Sequence, residues 1–275
     1  MKDQRKFILA AISAAVMAIV SCHGGKTVAE ATPVAAPQVE ERLAFDSAEW
    51  HDSARVHPNG ITRVDYKCVY PVKGSKALKD SIMRWVYEQY GDSAYNGVAD
   101  VKAILDKAGR KTIDADKPEL AEILSYRGGD DEYPVEYATD IHTYVDYEDA
   151  EYVTMFCQTY VYRAGAHGST VNNVVTFSKK DGSRCGWNLL GDMSRKDITD
   201  RIKAGLKELF DITEPDSDAK LREILFGMSE ADYAEKFPLP AFPPFLTKEG
   251  VVVMYQQYEI APYAAGMPSC VIKKP

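Results

Sequence analysis

Two alternating segments joined by a short polar turn are the feature that most constrains the fold. Residues 136–147 and 152–163 each alternate apolar and polar side chains, and the polar run 148–151 separates them. Alternation with a period of two is typical of a strand that buries one face. The run between the segments has the length and composition of a hairpin turn. The sequence therefore predicts a β-hairpin at residues 136–163.

Other segments of the same kinds supply the remaining elements. Before the hairpin, the sequence predicts one strand and three helices, at 61–72, 75–90, 98–108 and 118–126, with Pro118 in the first turn of the last helix. After it, strands are predicted at 171–178, 187–190 (or only a strand end), 245–246, 250–258 and 268–272, and helices at 194–210 and 218–226. The order β-α-α-α-β-β-β-α-α-β-β predicts an α+β fold, a largely antiparallel sheet with helices packed on one side. We expect one domain over residues 43–275, or two subdomains at about 43–165 and 166–275.

The N-terminus has the pattern of a bacterial lipoprotein signal peptide. A basic start and an apolar run through Val20 lead into Ser21-Cys22, and the run is too short to span a bilayer comfortably. The sequence predicts a signal peptide at 1–21, lipid attachment at Cys22 and a flexible tether at 22–42. An ordinary secretory signal with an incidental cysteine is the alternative. We expect a location in the cell envelope, on the outer membrane facing the periplasm.

Charge and cysteine content narrow the classes of partner. The chain has 33 Lys and Arg against 41 Asp and Glu; without residues 1–21 these become 30 and 40, a net charge of −10. So acidic a surface argues against nucleic acid and favours a basic partner. Four widely spaced cysteines remain after Cys22, without a C-x-x-C pair, which disfavours a structural zinc site. In an oxidising compartment they form either disulfides, in any of three pairings, or buried free thiols: Cys68, Cys157, Cys185 and Cys270.

The segment Arg163–Ser169, with sequence RAGAHGS, is the most conspicuous candidate for chemistry. It joins two predicted strands and lacks a serine between its glycines, so it is not a nucleophile elbow. We expect Gly165 and Gly168 to adopt backbone conformations that a side chain would strain, and His167 to hold the turn by hydrogen bonds.

Metal and cofactor motifs are absent from the sequence. The five histidines have no metalloprotease spacing, and we interpret Asp114, Asp116 and the cluster 130–132 as solvated loop charge. There is no P-loop and no dinucleotide-binding fingerprint. We therefore expect no metal and no cofactor.

Tyrosine is unusually concentrated. Eight of 17 tyrosines fall between Tyr126 and Tyr162. On the second hairpin strand the even-numbered aromatic residues share one side: Tyr152, Phe156, Tyr160 and Tyr162. Packing against the helices explains such a face, and so does a binding surface for a protein or glycan.

Two motifs together resemble an extracytoplasmic domain family of unknown function. They are the Tyr162–Gly168 segment, which fits a Y-x-x-G-A-H pattern, and YEIAPYAAG at Tyr258–Gly266. The same domain forms the extracellular part of RsiV-type anti-sigma factors, which bind lysozyme, and an accessory region of the peptidoglycan deacetylase PdaC. The resemblance implies an α+β fold and a non-catalytic binding role. It also draws attention to residues of the second motif: Tyr258, Glu259, Tyr263 and Gly266.

These observations together predict a lipid-anchored, non-catalytic binding protein of the cell envelope. Its expected partner is a lysozyme-like protein or a peptidoglycan fragment. A cell-wall hydrolase with a site near His167 and a purely structural lipoprotein are the alternatives.

Overall fold

The computed structural model describes residues 42–91, 95–97, 100–127, 133–213 and 215–273. The predicted signal peptide, Cys22 and the tether as far as residue 41 lie outside them, as does the acidic cluster at 130–132. Within these ranges no helix has the length and apolar character needed to cross a membrane.

A six-stranded sheet forms the larger layer, with strand order β1-β2-β3-β4-β5-β6. Its strands are β1 (Ala44–Val56), β2 (Gly60–Lys73), β3 (Val135–Glu148), β4 (Tyr152–Arg163), β5 (Ser169–Ser178) and β6 (Arg184–Cys185). All neighbours are antiparallel except β2 and β3, which are parallel because two helices cross over between them. The α+β class and the hairpin of β3 and β4 are confirmed. The predicted division near residue 165 stays a prediction; β5, which follows it, pairs with β4.

The two crossover helices pack against one face of this sheet. Helix α1 (Lys76–Gln89) begins at Ser75, whose side chain accepts the Leu78 N–H. Helix α2 (Val101–Arg127) is continuous, so the prediction of two helices interrupted before Pro118 was wrong. Buried contacts of Leu120 and Leu124 with the sheet stabilise this part of α2 in spite of the missing proline N–H.

Strand β1 was not predicted. Its sequence is largely polar, and only a minority of its side chains, such as Ala48 and Trp50, face the core. Since β1 lies at the edge of the sheet, it needs little apolar surface to be stable there. Such a strand gives a weak periodic signal.

The C-terminal part forms a second, smaller layer with its own core. It contains helices α3 (Arg195–Leu209), α4 (Ser217–Ile224) and α5 (Glu230–Glu235), and a three-stranded antiparallel sheet of β7 (Phe245–Leu246), β8 (Val251–Met254) and β9 (Ser269–Ile272). The helix α5 was not predicted. Residues Trp187–Leu190, predicted as strand, form a 3₁₀ turn that buries two leucines on this core.

The four described cysteines are buried free thiols. Strand β3 lies between Cys68 on β2 and Cys157 on β4, so these two are separated by about 10 Å, beyond disulfide reach. Burial raises the pKa of Cys68 to about 11 and that of Cys157 to about 12. Both thiols therefore stay protonated and serve as small core side chains.

Candidate functional site

The loop between β4 and β5 is anchored at its start by an ion pair between a partly exposed arginine and a buried carboxylate. The Arg163 guanidinium lies 2.9 Å from a carboxylate oxygen of Asp116 and donates to Thr139 Oγ1 at 3.0 Å. The other oxygen of Asp116 accepts from Thr62 Oγ1 at 2.7 Å. Asp116 is only 4% exposed, in the middle of α2, so its interpretation as solvated loop charge was wrong. The sequence offered no local signal for this long-range pair.

His167, at the other end of the loop, is exposed and contacts the C-terminal motif. Its ring stacks on Tyr263 with centroids 3.7 Å apart and planes 16° apart. Nδ1 lies 3.0 Å from the Gly168 carbonyl, and Nε2 lies 3.2 Å from the Tyr258 hydroxyl. Because a carbonyl can only accept, Nδ1 carries the proton and Nε2 accepts from Tyr258 in the neutral ring.

His167, Tyr258 and Tyr263 together form what we call the aromatic cluster. Tyr258 is 54% exposed and has a left-handed backbone with φ of 62°. Its ring centroid lies 5.6 Å from that of Tyr263. The Tyr263 hydroxyl donates to the Gly168 carbonyl at 3.2 Å. The two predicted motifs therefore meet at one place on the surface.

The Glu259 carboxylate binds backbone groups outside the aromatic cluster. Its two oxygens accept backbone N–H groups of Ala241, at 2.5 Å, and of Gln256, at 2.7 Å. The carboxylate thus organises the chain around the motif, whereas the hydrogen bonds of His167 are with the Gly168 carbonyl and the Tyr258 hydroxyl.

Two glutamines that the sequence analysis did not single out dock the motif on the edge of β5. The Gln256 amide accepts the Asn172 N–H at 2.9 Å and donates to the Asn172 carbonyl at 3.1 Å. The Gln257 amide oxygen accepts the Thr170 N–H at 2.8 Å. Side-chain amides here take the place of a neighbouring strand, and consecutive glutamines give no sequence signal for such a role.

The glycines of the first motif differ from expectation. Neither Gly165 nor Gly168 has a positive φ; Ala164 does, at 55°. A Cβ on Gly168 would lie 2.2 Å from the Tyr160 ring, whereas the nearest atom to one on Gly165 is at 3.8 Å. Gly168 is therefore required for ring packing, and Gly165 tolerates a side chain. Gly266, the last residue of the second motif, has a positive φ of 67°.

The open face of the six-stranded sheet is the side opposite α1 and α2. On β4, Val153, Met155 and Cys157 are buried in the core with the helices, so the aromatic side chains of β4 lie on the open face. Phe156 stacks on Tyr144 of β3 with centroids 4.9 Å apart. Tyr144 is 41% exposed. Only part of this aromatic side is covered: Tyr152 packs against the C-terminal core.

Charged side chains on the open face are mostly paired with one another. Arg63 lies 2.8 Å from Asp140 and 2.5 Å from Glu136, and His142 lies 2.9 Å from Asp65. These groups are partly exposed, so each pair contributes little to stability. Among the described residues no group of three or more His, Cys, Asp or Glu side chains is arranged to hold a metal ion.

Part of the chain matches a known protein family. Residues 188–274 match the family model of DUF3298, described as a protein of unknown function. The chain contains a DUF3298 domain. This domain includes Tyr258, Glu259, Tyr263 and Gly266, whereas the Gly165–Gly168 loop precedes it.

Two crystal structures of DUF3298 family proteins have a similar fold. One, from Bacteroides fragilis, is 18% identical, with a TM-score of 0.64 over 84% of this chain and 90% of that chain. The other, from Pseudomonas aeruginosa, is 13% identical, with a TM-score of 0.56 over 84% of this chain and 91% of that chain. The similarity thus extends beyond the DUF3298 domain into the six-stranded sheet, and at these identities it shows the fold alone. Comparison with curated proteins gave no match.

Proposed function

We propose that this protein is a lipid-anchored, non-catalytic binding protein of the bacterial cell envelope, with a basic protein of lysozyme type as its partner. The lipoprotein pattern ending at Cys22 supports the anchor. The resemblance to RsiV-type domains and the net charge of −10 without residues 1–21 support the partner.

The observation that carries the proposal is the hairpin end of the open face, formed by Tyr144, Asp146 and Glu249. Reduced hydration and the nearby Glu249 carboxylate both raise the pKa of Asp146. In the part of the chain that the structure describes, no Lys or Arg side chain forms an ion pair with Asp146. Lys248 lies 3.4 Å from Glu249, so Asp146 is the carboxylate here that a cation of a partner would neutralise. The exposed Tyr144 ring beside it offers a rigid contact surface.

The arrangement around His167 supports binding over hydrolysis. His167 is hydrogen-bonded to Tyr258 and to a carbonyl, while both oxygens of Glu259 accept backbone N–H groups. An acid–base pair would need a carboxylate in contact with the imidazole or with a substrate.

The test is calorimetric titration of the chain from residue 23 onward, which lacks the predicted signal peptide and Cys22, with a purified basic lysozyme. Measurements at about 0.01 M and about 0.15 M ionic strength change the Debye length from about 30 Å to about 8 Å. We expect micromolar or tighter binding that weakens with salt. Asp146→Asn should weaken it and reduce the salt dependence, and Tyr144→Ala should speed dissociation. Tyr126→Ala, which removes an exposed tyrosine from the end of α2, is the control.

Acid pH sharpens the same test. The ionised form of Asp146 is the one that attracts a cation, so affinity should fall as pH drops through its raised pKa. In Asp146→Asn that part of the pH dependence should be missing. Absence of heat and of muramidase inhibition would remove lysozyme as the partner and favour a peptidoglycan fragment or a structural role.

The anchor has its own test. Cys22→Ala should block lipid attachment, so that the variant incorporates no labelled palmitate, and leave the signal peptide uncleaved. Incorporation of the label into the variant would contradict lipid attachment at Cys22. Protease treatment of whole cells tests the proposed location on the outer membrane facing the periplasm, where the protein would be protected.

A further inference from the structure

We propose that the aromatic cluster is a binding site for a neutral saccharide, separate from the surface for a basic protein. The three rings lie side by side, and two of them are nearly parallel. His167 lies at 16° to Tyr263, and Tyr258 is tilted by 33° to His167 and 35° to Tyr263. A pyranose ring presents C–H bonds on its face and hydroxyls around its rim, so it complements a flat aromatic surface with polar edges.

The backbone at Tyr258 indicates that its exposed position is maintained by the surrounding structure. A bulky residue with φ of 62° is strained, and here the strain does not serve to bury the ring, which is 54% exposed. The hydrogen bond from its hydroxyl to His167 Nε2 instead holds the ring beside the His167–Tyr263 stack. The surface is therefore organised before any ligand binds, which lowers the entropy lost on binding.

The polar edges of the cluster suit hydroxyl groups. The phenol groups of Tyr258 and Tyr263 donate to His167 Nε2 and to the Gly168 carbonyl. Each phenol oxygen keeps lone pairs that can accept a hydrogen bond from a sugar hydroxyl.

Charge favours a neutral ligand over an ionic one. The Arg and Glu side chains within the two motifs are Arg163 and Glu259, and both are bound to groups outside the aromatic cluster. Arg163 is paired with the buried Asp116, and Glu259 accepts two backbone N–H groups. A ligand of the aromatic cluster would therefore be bound mainly by ring stacking and by hydrogen bonds to hydroxyl groups.

The site is separate from the hairpin end because the two lie at different positions along β4. Tyr144 and Val145, which precede Asp146, pair with Phe156 and Met155, whereas the aromatic cluster follows Arg163. The stretch of β4 from Phe156 to Arg163 spans about 23 Å. A small saccharide bound at the aromatic cluster therefore leaves the hairpin end accessible.

The experiment titrates the chain from residue 23 onward with an N-acetylglucosamine oligosaccharide and follows binding by calorimetry and by NMR of the aromatic signals. Sorbitol is the control for hydroxyl groups without a ring, and an arginine-containing peptide tests a cationic ligand. Tyr258→Gly removes the ring and relieves the left-handed strain, so it keeps the protein folded. Tyr126→Ala is the matched control for loss of an exposed tyrosine, since Tyr126 is 81% exposed.

We expect the oligosaccharide to bind saturably. Tyr258→Gly should lower the affinity about tenfold or more, and Tyr126→Ala should leave it unchanged. Lysozyme binding should be unaffected by Tyr258→Gly, so failure of one proposal leaves the other standing. The saccharide site is refuted if the oligosaccharide does not bind at millimolar concentration. It is equally refuted if Tyr258→Gly binds as tightly as the parent chain, or if only the arginine peptide perturbs the cluster.

Discussion

The two faces of β4 differ in how deeply their side chains are buried. On the helix side Met155 is completely buried in the core shared with α1, whereas the next residue, Phe156, stacks on the partly exposed Tyr144. The helix side also buries the Asp116 carboxylate, whose partner Arg163 is partly exposed, while both members of the open-face pair of Arg63 and Asp140 are in contact with water. One strand thus supplies the fold with one set of side chains and a surface for recognition with the other.

The largest expected change in unfolding free energy comes from breaking the ion pair of Asp116 and Arg163. Asp116→Ala leaves the Arg163 guanidinium without its partner on the buried side, so unfolding free energy should fall by about 4 kcal/mol. Asp114→Ala, two residues away, removes only an exposed contact with Lys117 and should have almost no effect. Urea denaturation of both variants measures the difference. Equal losses of unfolding free energy would show that the ion pair on the helix side stabilises the protein no more than an exposed ion pair.

Met155 and Phe156, which are adjacent on β4 and lie on opposite faces, allow the two faces to be compared directly. Met155→Ala should lower the unfolding free energy by about 3 kcal/mol, because it opens a cavity in the core. Phe156→Ala should cost about 1 kcal/mol through loss of the stack on Tyr144. Thermal and urea unfolding check the ratio. A larger loss for Phe156→Ala would mean that the open face is part of the core.

Among the more damaging variants of the three pairs, the loop glycine variant has the smallest expected effect. Gly168→Ala should destabilise by about 2 kcal/mol, because the new Cβ overlaps the Tyr160 ring. Gly165→Ala should change the melting temperature little, since no atom outside its own neighbours lies within 3.8 Å of the new Cβ. If Gly165→Ala proved the more damaging variant, backbone freedom, and not ring packing, would control this loop.

Prediction from the sequence worked best where periodicity is local. The hairpin of β3 and β4, the strand β2 and the helices α1 and α3 follow from short-range patterns, and their Ser75 and Ser194 caps are local as well. It was less successful for β1, whose polar sequence is stabilised by one neighbouring strand and by α2. The same holds for α2, which continues through Pro118 because burial of Leu120 and Leu124 outweighs the preference of proline against the helix interior.

The sequence alone determined the α+β class, the strand periodicity and the two motifs, because these depend on residues close together in the chain. Only the tertiary structure decided which groups meet. His167 and Tyr263 are 96 residues apart in sequence and stack at 3.7 Å, and Asp116 lies beside Arg163 across the sheet. It also decided that the tyrosines of β4 lie on the side away from α1 and α2. The physical reason is that burial and hydrogen bonding act between surfaces brought together by the whole fold, and no short segment encodes its distant neighbours.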